Sequence, residues 1–309
     1  MMERDQFVNR LMEMMQEHFG DEYELERTEV TKNNGIVYDA VILHMEDSNA
    51  APVVYLDYLY EDYLDGSSLD DIIMKVKEYT ENERTLAAVQ SAKATDFEKC
   101  KDMIMAKLIN AERNAELLER GIPHRKLLDL AIVYYIFLDA NDDRMYTTII
   151  TDALLKYWNV TEEVLYDLAM SNMEKKLPAK VSRLEAVLFG DESEEDEMLF
   201  TEDSQYPELL LMTNSYNVHG AITVLYPGIL QEIADRNHTD LVVLPSSVHE
   251  ILIMKDDGKM TREEIDRMIQ SINDESVRRD EVLADHAYVF QWEKGELVIT
   301  DMKNRAHAA

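Results

Sequence analysis

The segment 244–250 brings together the residue types that a hydrolase needs: hydroxyls, an imidazole and a carboxylate. They belong to Ser246, Ser247, His249 and Glu250. Nucleophilic catalysis requires a hydroxyl with a base in hydrogen-bond reach. Neighbours on a strand point to opposite faces, however, so closeness in sequence does not establish that contact. The alternative, which we favour, is a strand junction whose polar groups are hydrogen-bonded locally.

A second imidazole and carboxylate, His124 and Asp129, lie near the start of the predicted strand Leu130–Leu138. Such a pair can act as a general base with its orienting acid. The alternative is that both side chains satisfy backbone groups of the turn. His249 and His124, each with a nearby carboxylate, are therefore the candidate centres of a hydrolase of unfamiliar type.

Four tyrosines and several carboxylates alternate in the segment 55–63. The tyrosines are Tyr55, Tyr58, Tyr60 and Tyr63. Tyrosine is favoured at protein interfaces, so the segment is a candidate surface for binding a partner. The alternative is a half-buried strand, in which tyrosine is a good sheet former with one end in water.

The sequence lacks the signatures of the common cofactor and metal sites. Its 9 glycines form no phosphate-binding loop of the dinucleotide or P-loop kind. It contains no His-Glu-x-x-His pair and no Gly-x-Ser-x-Gly elbow. Cys100 is the only cysteine, which excludes an intramolecular disulfide and zinc sites with two thiolates. We expect no cofactor and no metal.

The charge of the chain restricts its partners. Lys and Arg total 31 against 63 Asp and Glu, a formal net charge of −32. Phosphate backbones and anionic membranes repel that charge, so we expect neither direct nucleic-acid binding nor membrane binding. A basic protein partner is compatible with it, including a DNA-binding protein that this chain would inhibit as a DNA mimic.

The expected compartment is the cytoplasm. A single cysteine suits a reducing environment. The N-terminus lacks the basic start and apolar block of a secretory signal. The longest apolar run, Leu130–Leu138, is too short to cross a bilayer as a helix.

Residues 1–92 predict the element order α-β-β-β-α. Apolar residues at helical spacing from Phe7 to Met15 predict an opening helix. The predicted strands are Tyr23–Thr31, Ile36–Met45 and Val53–Tyr58, and the turn signal Asn33-Asn34-Gly35 lies between the first two. Ser68, with Asp71 three residues on, predicts the start of a second helix that runs to about Asn82.

Residues 95–189 predict another mixture of helices and strands. Thr95 and Glu98 form a capping-box pattern before an apolar stripe from Met103 to Ala115, which predicts a helix ending at Gly121. Further predicted elements are the strands Leu130–Leu138 and Met145–Thr151 and the helices Ala153–Trp158 and Glu162–Asn172, the last capped by Thr161.

Residues 190–204 predict an acidic loop or linker, because Asp191–Glu197 has six acids in seven residues. In residues 205–302, Thr261 with Glu264 predicts a capped helix that carries Ile265 and Ile269. The predicted strands are Glu208–Thr213, Ala221–Leu225, Asp240–Leu244, Glu250–Met254, Tyr288–Trp292 and Leu297–Thr300.

The predicted fold class is α+β, with small mixed sheets flanked by amphipathic helices and with strand-helix-strand units. Apolar residues make up 46% of the chain, an ordinary share for a folded protein. The four segments, 1–92, 95–189, 190–204 and 205–302, are the predicted divisions of the chain.

Short motifs along nearly the whole chain resemble those of one uncharacterised family. They are Ala51-Pro52-Val53-Val54-Tyr55-Leu56, Ile122-Pro123-His124, Thr151–Trp158, Met212-Thr213-Asn214, Gly220-Ala221, Leu225-Tyr226-Pro227 and the segment 244–250. The family is catalogued as a domain of unknown function and is common in Gram-positive anaerobic bacteria. The resemblance implies no assigned activity, cofactor or catalytic residue.

Two classes of function fit the sequence. The first, which we favour, is a non-catalytic protein-binding or regulatory module, and the second is the unfamiliar hydrolase. Convergence of His124, His219 and His249 with a carboxylate in one deep pocket would favour the enzyme. Dispersal of these side chains would favour the binding module.

Overall fold

The computed structural model describes residues 1–45, 51–141, 144–190, 198–200 and 207–299, without the side chains of 82–94 and 139–146. The chain divides into an N-terminal unit, Met1–Lys99, and a C-terminal unit, Cys100–Ala309. The predicted acidic loop Asp191–Glu197 lies outside the described residues. No helix in the described ranges is long and apolar enough to cross a membrane.

The N-terminal unit packs helices against an antiparallel sheet of order β1-β2-β3. Its elements are α1 (Arg4–Phe19), β1 (Glu24–Thr31), β2 (Val37–His44), β3 (Val53–Tyr55), α2 (Leu56–Leu64) and α3 (Leu69–Ala94). Its core contains Phe7, Leu11 and Met15 from α1, Val41 and Leu43 from β2, and Ile72 and Val76 from α3.

The strand predicted over Val53–Tyr58 is wrong beyond Tyr55, where the chain turns into α2. Leu56 is fully buried, and Leu59, Tyr60 and Tyr63 pack against the same core. The spacing of these four residues, i, i+3, i+4 and i+7, is that of one helical face. Packing of that face on the core therefore overrides the strand propensity of the tyrosines.

The predicted start of α3 is confirmed, because Ser68 and Asp71 bond to each other through side chains and backbone. The helix continues to Ala94 rather than ending near Asn82. Residues 83–94 contain no glycine or proline that would stop it.

The short helix α4 (Phe97–Cys100) spans the boundary between the two units in the sequence. The first half of the C-terminal unit contains β4 (Ile104–Asn110), α5 (Ala115–Glu119), β5 (His124–Leu127), β6 (Leu130–Asn141), β7 (Arg144–Ile149), α6 (Asp152–Trp158) and α7 (Glu162–Lys176). The long helix predicted from Thr95 to Gly121 is wrong. Ile104–Asn110 pairs residue by residue with β6 instead. Every residue of β4 except Lys107 is buried, and a short apolar run of this kind does not distinguish strand from helix.

The second half contains β8 (Ala179–Arg183), α8 (Leu184–Phe189), β9 (Leu210–Asn214), α9 (Ile229–Asn237), β10 (Leu241–Leu244), β11 (Ile251–Lys255), α10 (Arg262–Ser276), β12 (Tyr288–Gln291) and β13 (Glu296–Val298). The strand predicted over Ala221–Leu225 is wrong, because Gly220–Leu225 is a 3-10 helix. The Thr223 hydroxyl donates to the Gly220 carbonyl and closes its first turn.

The α+β class is confirmed. The sequence analysis predicted mixed sheets, and this part of the prediction is wrong. The pairings between the described strands are all antiparallel. One six-stranded sheet has the order β13-β12-β10-β11-β9-β8. Since β8 comes from the predicted segment 95–189 and β9 from 205–302, these two segments share a sheet.

Two threonines at helix starts provide a matched test of side-chain capping. Thr261 caps α10 in a full capping box with Glu264. Thr161 occupies the same position before α7, but its side chain makes no capping bond to the described residues. We expect Thr261→Ala to lower the free energy of unfolding by about 1 kcal/mol and Thr161→Ala to have a clearly smaller effect. Equal losses in urea titrations would contradict this assignment.

Candidate functional site

The hydrolase candidates Ser246, Ser247, His249 and Glu250 lie in the connection between β10 and β11. Ser246 and Ser247 are buried there, and the carbonyl of Ser246 accepts the N–H of Leu283 at 3.0 Å. Ser247 Oγ accepts the backbone N–H of His249 at 3.0 Å, and its hydroxyl also bonds to Glu250. Burial raises the pKa of Glu250. The Ser247 hydroxyl thus bonds to backbone and carboxylate.

The His249 imidazole makes a polar contact through each of its ring nitrogens. Nδ1 accepts the backbone N–H of His219 at 3.2 Å, and Nε2 lies 3.2 Å from Glu281 Oε1. Because a backbone N–H can only donate, the ring proton of His249 belongs on Nε2. With both nitrogens engaged, the ring offers no free lone pair to accept a proton from a nucleophile.

Glu281 is held as a carboxylate between two cationic or donating side chains. Burial alone would raise its pKa, but hydrogen bonds from His249 and Arg278 outweigh burial and bring the pKa to about 2. Arg278 Nε donates at 3.0 Å, and a second guanidinium nitrogen contacts the same oxygen. Glu281 therefore anchors His249 over a wide pH range.

His219 lies against this pair in a strained backbone conformation. Its ring stacks on His249 with centroids 5.8 Å apart and meets Tyr135 edge to face at 5.2 Å. Its φ of 54° is in the left-handed region, which non-glycine residues rarely adopt outside functional or tightly packed sites. Its Nδ1 is buried without a hydrogen-bond partner among the described residues.

The ring of His219 is neutral at physiological pH. Burial lowers its pKa well below the usual value, and the positive charge of Lys107 acts in the same direction. Two of the three histidines whose convergence would favour the enzyme, His219 and His249, lie side by side, and His249 contacts the carboxylate of Glu281. His124 does not join them.

His124 and Asp129 have separate partners. His124 is an exposed residue, and its Nδ1 forms a 2.8 Å hydrogen bond with the Ile122 carbonyl. Asp129 accepts the hydroxyl of Tyr288 at 2.6 Å, and His286 Nε2 lies 3.3 Å from its other oxygen. The carboxylate that was predicted to orient His124 therefore pairs with residues more than 150 positions further along the chain.

In the N-terminal unit, Tyr55 and Tyr58 form a cluster with Tyr38, which we call the tyrosine cluster. The ring centroids are 5.9 Å apart for Tyr38 and Tyr55, 5.0 Å for Tyr38 and Tyr58, and 5.5 Å for Tyr55 and Tyr58. The ammonium of Lys32 lies 3.9 Å from the Tyr55 centroid and 5.6 Å from that of Tyr58. The cluster therefore presents aromatic faces to a cation.

Strand register explains how Tyr38 and Tyr55 meet. Tyr55 pairs with Ala40, so Tyr38 is its diagonal neighbour on the adjacent strand and on the same face of the sheet. Val41 and Leu43 enter the core from the other face. The tyrosine cluster therefore lies on the face of the sheet that the core does not use.

A polar network holds Tyr58 against this face. The backbone N–H of Asp39 donates to Asp57 Oδ2 at 2.9 Å, which ties β2 to the first turn of α2 beside Tyr38 and Tyr58. Arg4 contacts both carboxylates, at 2.7 Å for Asp57 and 3.2 Å for Asp39. Hydrogen bonds from Arg27 and then Arg4 lower the pKa of Asp39 despite its burial. The network therefore fixes the backbone of β2 at Tyr38 relative to the backbone of α2 at Tyr58.

The other two predicted tyrosines have a structural role. Tyr60 and Tyr63 pack on Phe7 with ring centroids 5.2 and 5.1 Å away. Their hydroxyls bond the backbone of Met2, Tyr60 by donating to its carbonyl and Tyr63 by accepting its N–H. Lys32 and Tyr38 were missed by the sequence analysis, although the turn Asn33-Asn34-Gly35 between them signals a hairpin.

Within the described part of the chain, no three His, Cys, Asp or Glu side chains converge to hold a metal ion. Cys100 is buried at the end of α4.

Comparison with known proteins identifies a family whose function is unknown. The sequence model of one family, described as a family of unknown function (DUF5688), matches residues 4–292. This match confirms the resemblance seen in the sequence motifs, whereas the occurrence in Gram-positive anaerobes stays a prediction. No curated protein and no solved structure matches the chain.

Proposed function

Since the chain belongs to DUF5688, a family of unknown function, we propose its function from its own geometry: it is a non-catalytic protein that binds a cationic side chain of a protein partner. The tyrosine cluster is the binding site. The observation that carries the proposal is the Lys32 ammonium 3.9 Å from the centre of the Tyr55 ring. The ring quadrupole attracts a cation at that distance. Faces that hold one cation can hold another.

The net charge supports a basic partner. A formal charge of −32 draws cationic proteins toward the surface and speeds their encounter with it. The tyrosine cluster then supplies the short-range recognition that charge alone lacks. In this proposal the protein acts in the cytoplasm and binds neither nucleic acid nor membrane directly. Inhibition of a DNA-binding protein by DNA mimicry is one form that the function can take.

The hydrolase is the second candidate, and one observation favours it. His249 with Glu281 has the arrangement of a base and its orienting carboxylate, beside the strained and neutral His219. The base nitrogen would have to be Nδ1, which accepts the His219 N–H. Catalysis would therefore require the loop at His219 to move first, and this requirement makes binding the better supported function.

Binding of short peptides to Tyr58 variants tests the proposal. We expect peptides with a central lysine or arginine to bind more tightly than the same peptide with glutamine, measured by fluorescence anisotropy. Tyr58→Leu should weaken the binding of the cationic peptides by about three- to tenfold, because a ring face contributes about 0.5–1.5 kcal/mol to a cation.

Tyr157→Leu is the matched control, because Tyr157 is an exposed tyrosine of the C-terminal unit. Thermal melting of both variants establishes that they are folded. Equal affinities for Tyr58→Leu, Tyr157→Leu and the unaltered protein would refute the tyrosine cluster as the binding site. Equal affinities for the glutamine and lysine peptides would refute cation recognition.

A further inference from the structure

Strand β1 forms one edge of the N-terminal sheet, and in the described part of the chain no strand pairs with the side of β1 that faces away from β2. It pairs with β2 along all eight of its residues, from Glu24 opposite His44 to Thr31 opposite Val37, without a register shift. The edge strands β8 and β13 of the six-stranded sheet have five and three residues. A long, regular edge is a ready template for pairing with another strand.

The hydrogen-bond pattern of the hairpin identifies the backbone groups of β1 that face away from β2. The N–H of Lys32 donates to the Ile36 carbonyl at 2.7 Å, and this pair continues the register of β1 and β2 by one residue. Because hydrogen-bonded and non-hydrogen-bonded pairs alternate in an antiparallel ladder, every second residue before Lys32 bonds to β2. The residues between them direct their N–H and C=O groups away from β2, and they are Leu25, Arg27, Glu29 and Thr31. None of these outward backbone groups has a hydrogen-bond partner among the described residues.

Charge is the main protection of this edge against unwanted partners. β1 contains no proline and no bulge, which are two other common ways to block an edge. Its charged residues are Glu24, Glu26, Arg27 and Glu29. A second copy of this chain would bring the same three carboxylates to the edge, and like charges on neighbouring strands repel. The edge is therefore protected against self-association but not against a basic strand.

Two of the three carboxylates are available to a basic partner. Glu24 and Glu29 are exposed, and neither forms an ion pair with a described residue. Glu26 lies 2.8 Å from the His44 imidazole, and Arg27 is already paired with a carboxylate of β2. Opposite charges on neighbouring strands stabilise their pairing, so a strand with lysine or arginine facing these carboxylates is complementary to β1.

We propose that β1 is the docking edge for a basic β-strand of a protein partner, which extends the N-terminal sheet by pairing antiparallel to β1. This inference goes beyond the proposed function, because recognition occurs through the backbone at the sheet edge and not through the tyrosine cluster. Main-chain hydrogen bonds of this kind provide affinity, and the alternating side chains provide specificity. The antiparallel ladder is the slightly more stable of the two pairings.

The register of β1 defines the sequence pattern of the partner. Basic residues belong opposite Glu24, Glu26 and Glu29, and an apolar residue belongs opposite Leu25, which is partly buried and packs against the N-terminal core. From the N-terminus of an antiparallel partner, the pattern is a basic residue, any two residues, a basic residue, an apolar residue and a basic residue. The peptide Thr-Thr-Lys-Thr-Thr-Lys-Val-Lys, which we call the lysine peptide, has this pattern and spans the whole of β1.

Two backbone-methylated forms of the lysine peptide test the pairing, because they keep every side chain and charge. In the proposed register the third, fifth and seventh residues bond to the outward groups of Glu29, Arg27 and Leu25, whereas the N–H groups of the second, fourth and sixth residues point away. In NMR titrations, N-methylation of the first set should weaken binding at least about tenfold, because it removes three donors, and N-methylation of the second set should have a much smaller effect. Equal affinities of the two methylated peptides would overturn the proposal.

Charge variants of β1 test the choice of a basic partner. Glu24→Gln/Glu29→Gln should weaken the binding of the lysine peptide about three- to tenfold. The matched control is Glu17→Gln/Glu78→Gln, which removes two exposed carboxylates from helices of the same unit and should have a clearly smaller effect. The same peptide with glutamine in place of lysine should bind the unaltered protein more weakly and respond to neither double variant. Equal affinities of the two double variants for the lysine peptide would overturn the assignment of a basic partner.

Two further measurements separate this inference from its alternatives. A peptide of residues 24–31 that bound as tightly as the lysine peptide would make a second copy of this chain the occupant and would overturn the proposal. If Tyr58→Leu weakened binding of the lysine peptide while both methylated forms bound alike, the proposed function would stand and docking at the edge would be refuted. A difference between the methylated forms without any Tyr58 dependence of cationic peptides would support docking at the edge and refute the proposed function.

Discussion

Replacing Gly220 with alanine is expected to destabilise the C-terminal unit by about 3 kcal/mol. An added Cβ would come well inside van der Waals contact of Thr213 Oγ1 and the His249 carbonyl oxygen, and would lie 2.8 Å from the Asn214 backbone nitrogen. Two of these three atoms belong to the backbone, so they cannot rotate away. Urea titrations of the single variant should show the loss as a lower midpoint.

Gly228→Ala is the matched control for this substitution. Gly228 has a φ of +81°, and among the described residues no heavy atom lies within 4 Å of the place that an alanine Cβ would take. Alanine there meets only backbone strain, which costs about 1–2 kcal/mol. A loss for Gly220→Ala no larger than that for Gly228→Ala would contradict the close packing of Gly220 on Thr213 and His249.

Glu281→Gln is expected to remove up to about 3 kcal/mol of stability at pH 7. The pKa of Glu281 is about 2 in the folded protein against a usual value of 4.5, and each unit of difference corresponds to about 1.4 kcal/mol. Because the folded pKa is the lower one, this stabilisation is complete above the unfolded pKa and is lost as the pH falls through the folded pKa. The free energy of unfolding of Glu281→Gln should therefore fall furthest below that of the unaltered protein at neutral pH.

The pH dependence separates this contribution from packing. The difference between the unaltered protein and Glu281→Gln should fall to about half at pH 3, because the unfolded carboxyl is protonated there. Glu293→Gln alters an exposed carboxylate and should have little effect at either pH. A constant difference for Glu281→Gln between pH 7 and pH 3 would show that the carboxylate charge does not stabilise the His249 contact.

Several elements could be predicted from the sequence because interactions between neighbouring residues determine where they begin or turn. The capping box of Thr261 and Glu264 predicts α10, and the structure contains both of its hydrogen bonds. The turn signal Asn33-Asn34-Gly35 predicts the hairpin of β1 and β2. Caps and turns involve residues within a few positions of each other, so a single sequence contains the information needed.

The elements that sequence reasoning missed depend on distant partners. Ile104–Asn110 is a strand because β6 pairs with it, and its apolar run has no period that would show this. Gly220–Leu225 is a 3-10 helix because the backbone at Gly220 packs against Thr213 and His249. In both segments tertiary contacts select one conformation where local propensity permits two.

The candidate sites show the same division. Composition alone identified Tyr55 and Tyr58, but the contact with Tyr38 follows from the register of β2 and β3. The partner of His249 is Glu281 rather than a neighbour in sequence. Pairs of this kind are separated by loops and helices whose paths a single sequence does not determine.

The most direct test of cation binding at the tyrosine cluster is an NMR titration of the protein with a peptide that has a central lysine. Ring currents should move the ε-methylene protons of that lysine upfield, because the proposed site places its ammonium against the faces of Tyr55 and Tyr58. The ring signals of these two tyrosines should shift with the same affinity, while those of Tyr157 and Tyr216 stay in place. Unmoved ε-methylene protons, or shifts at Tyr157 and Tyr216 instead, would contradict the account.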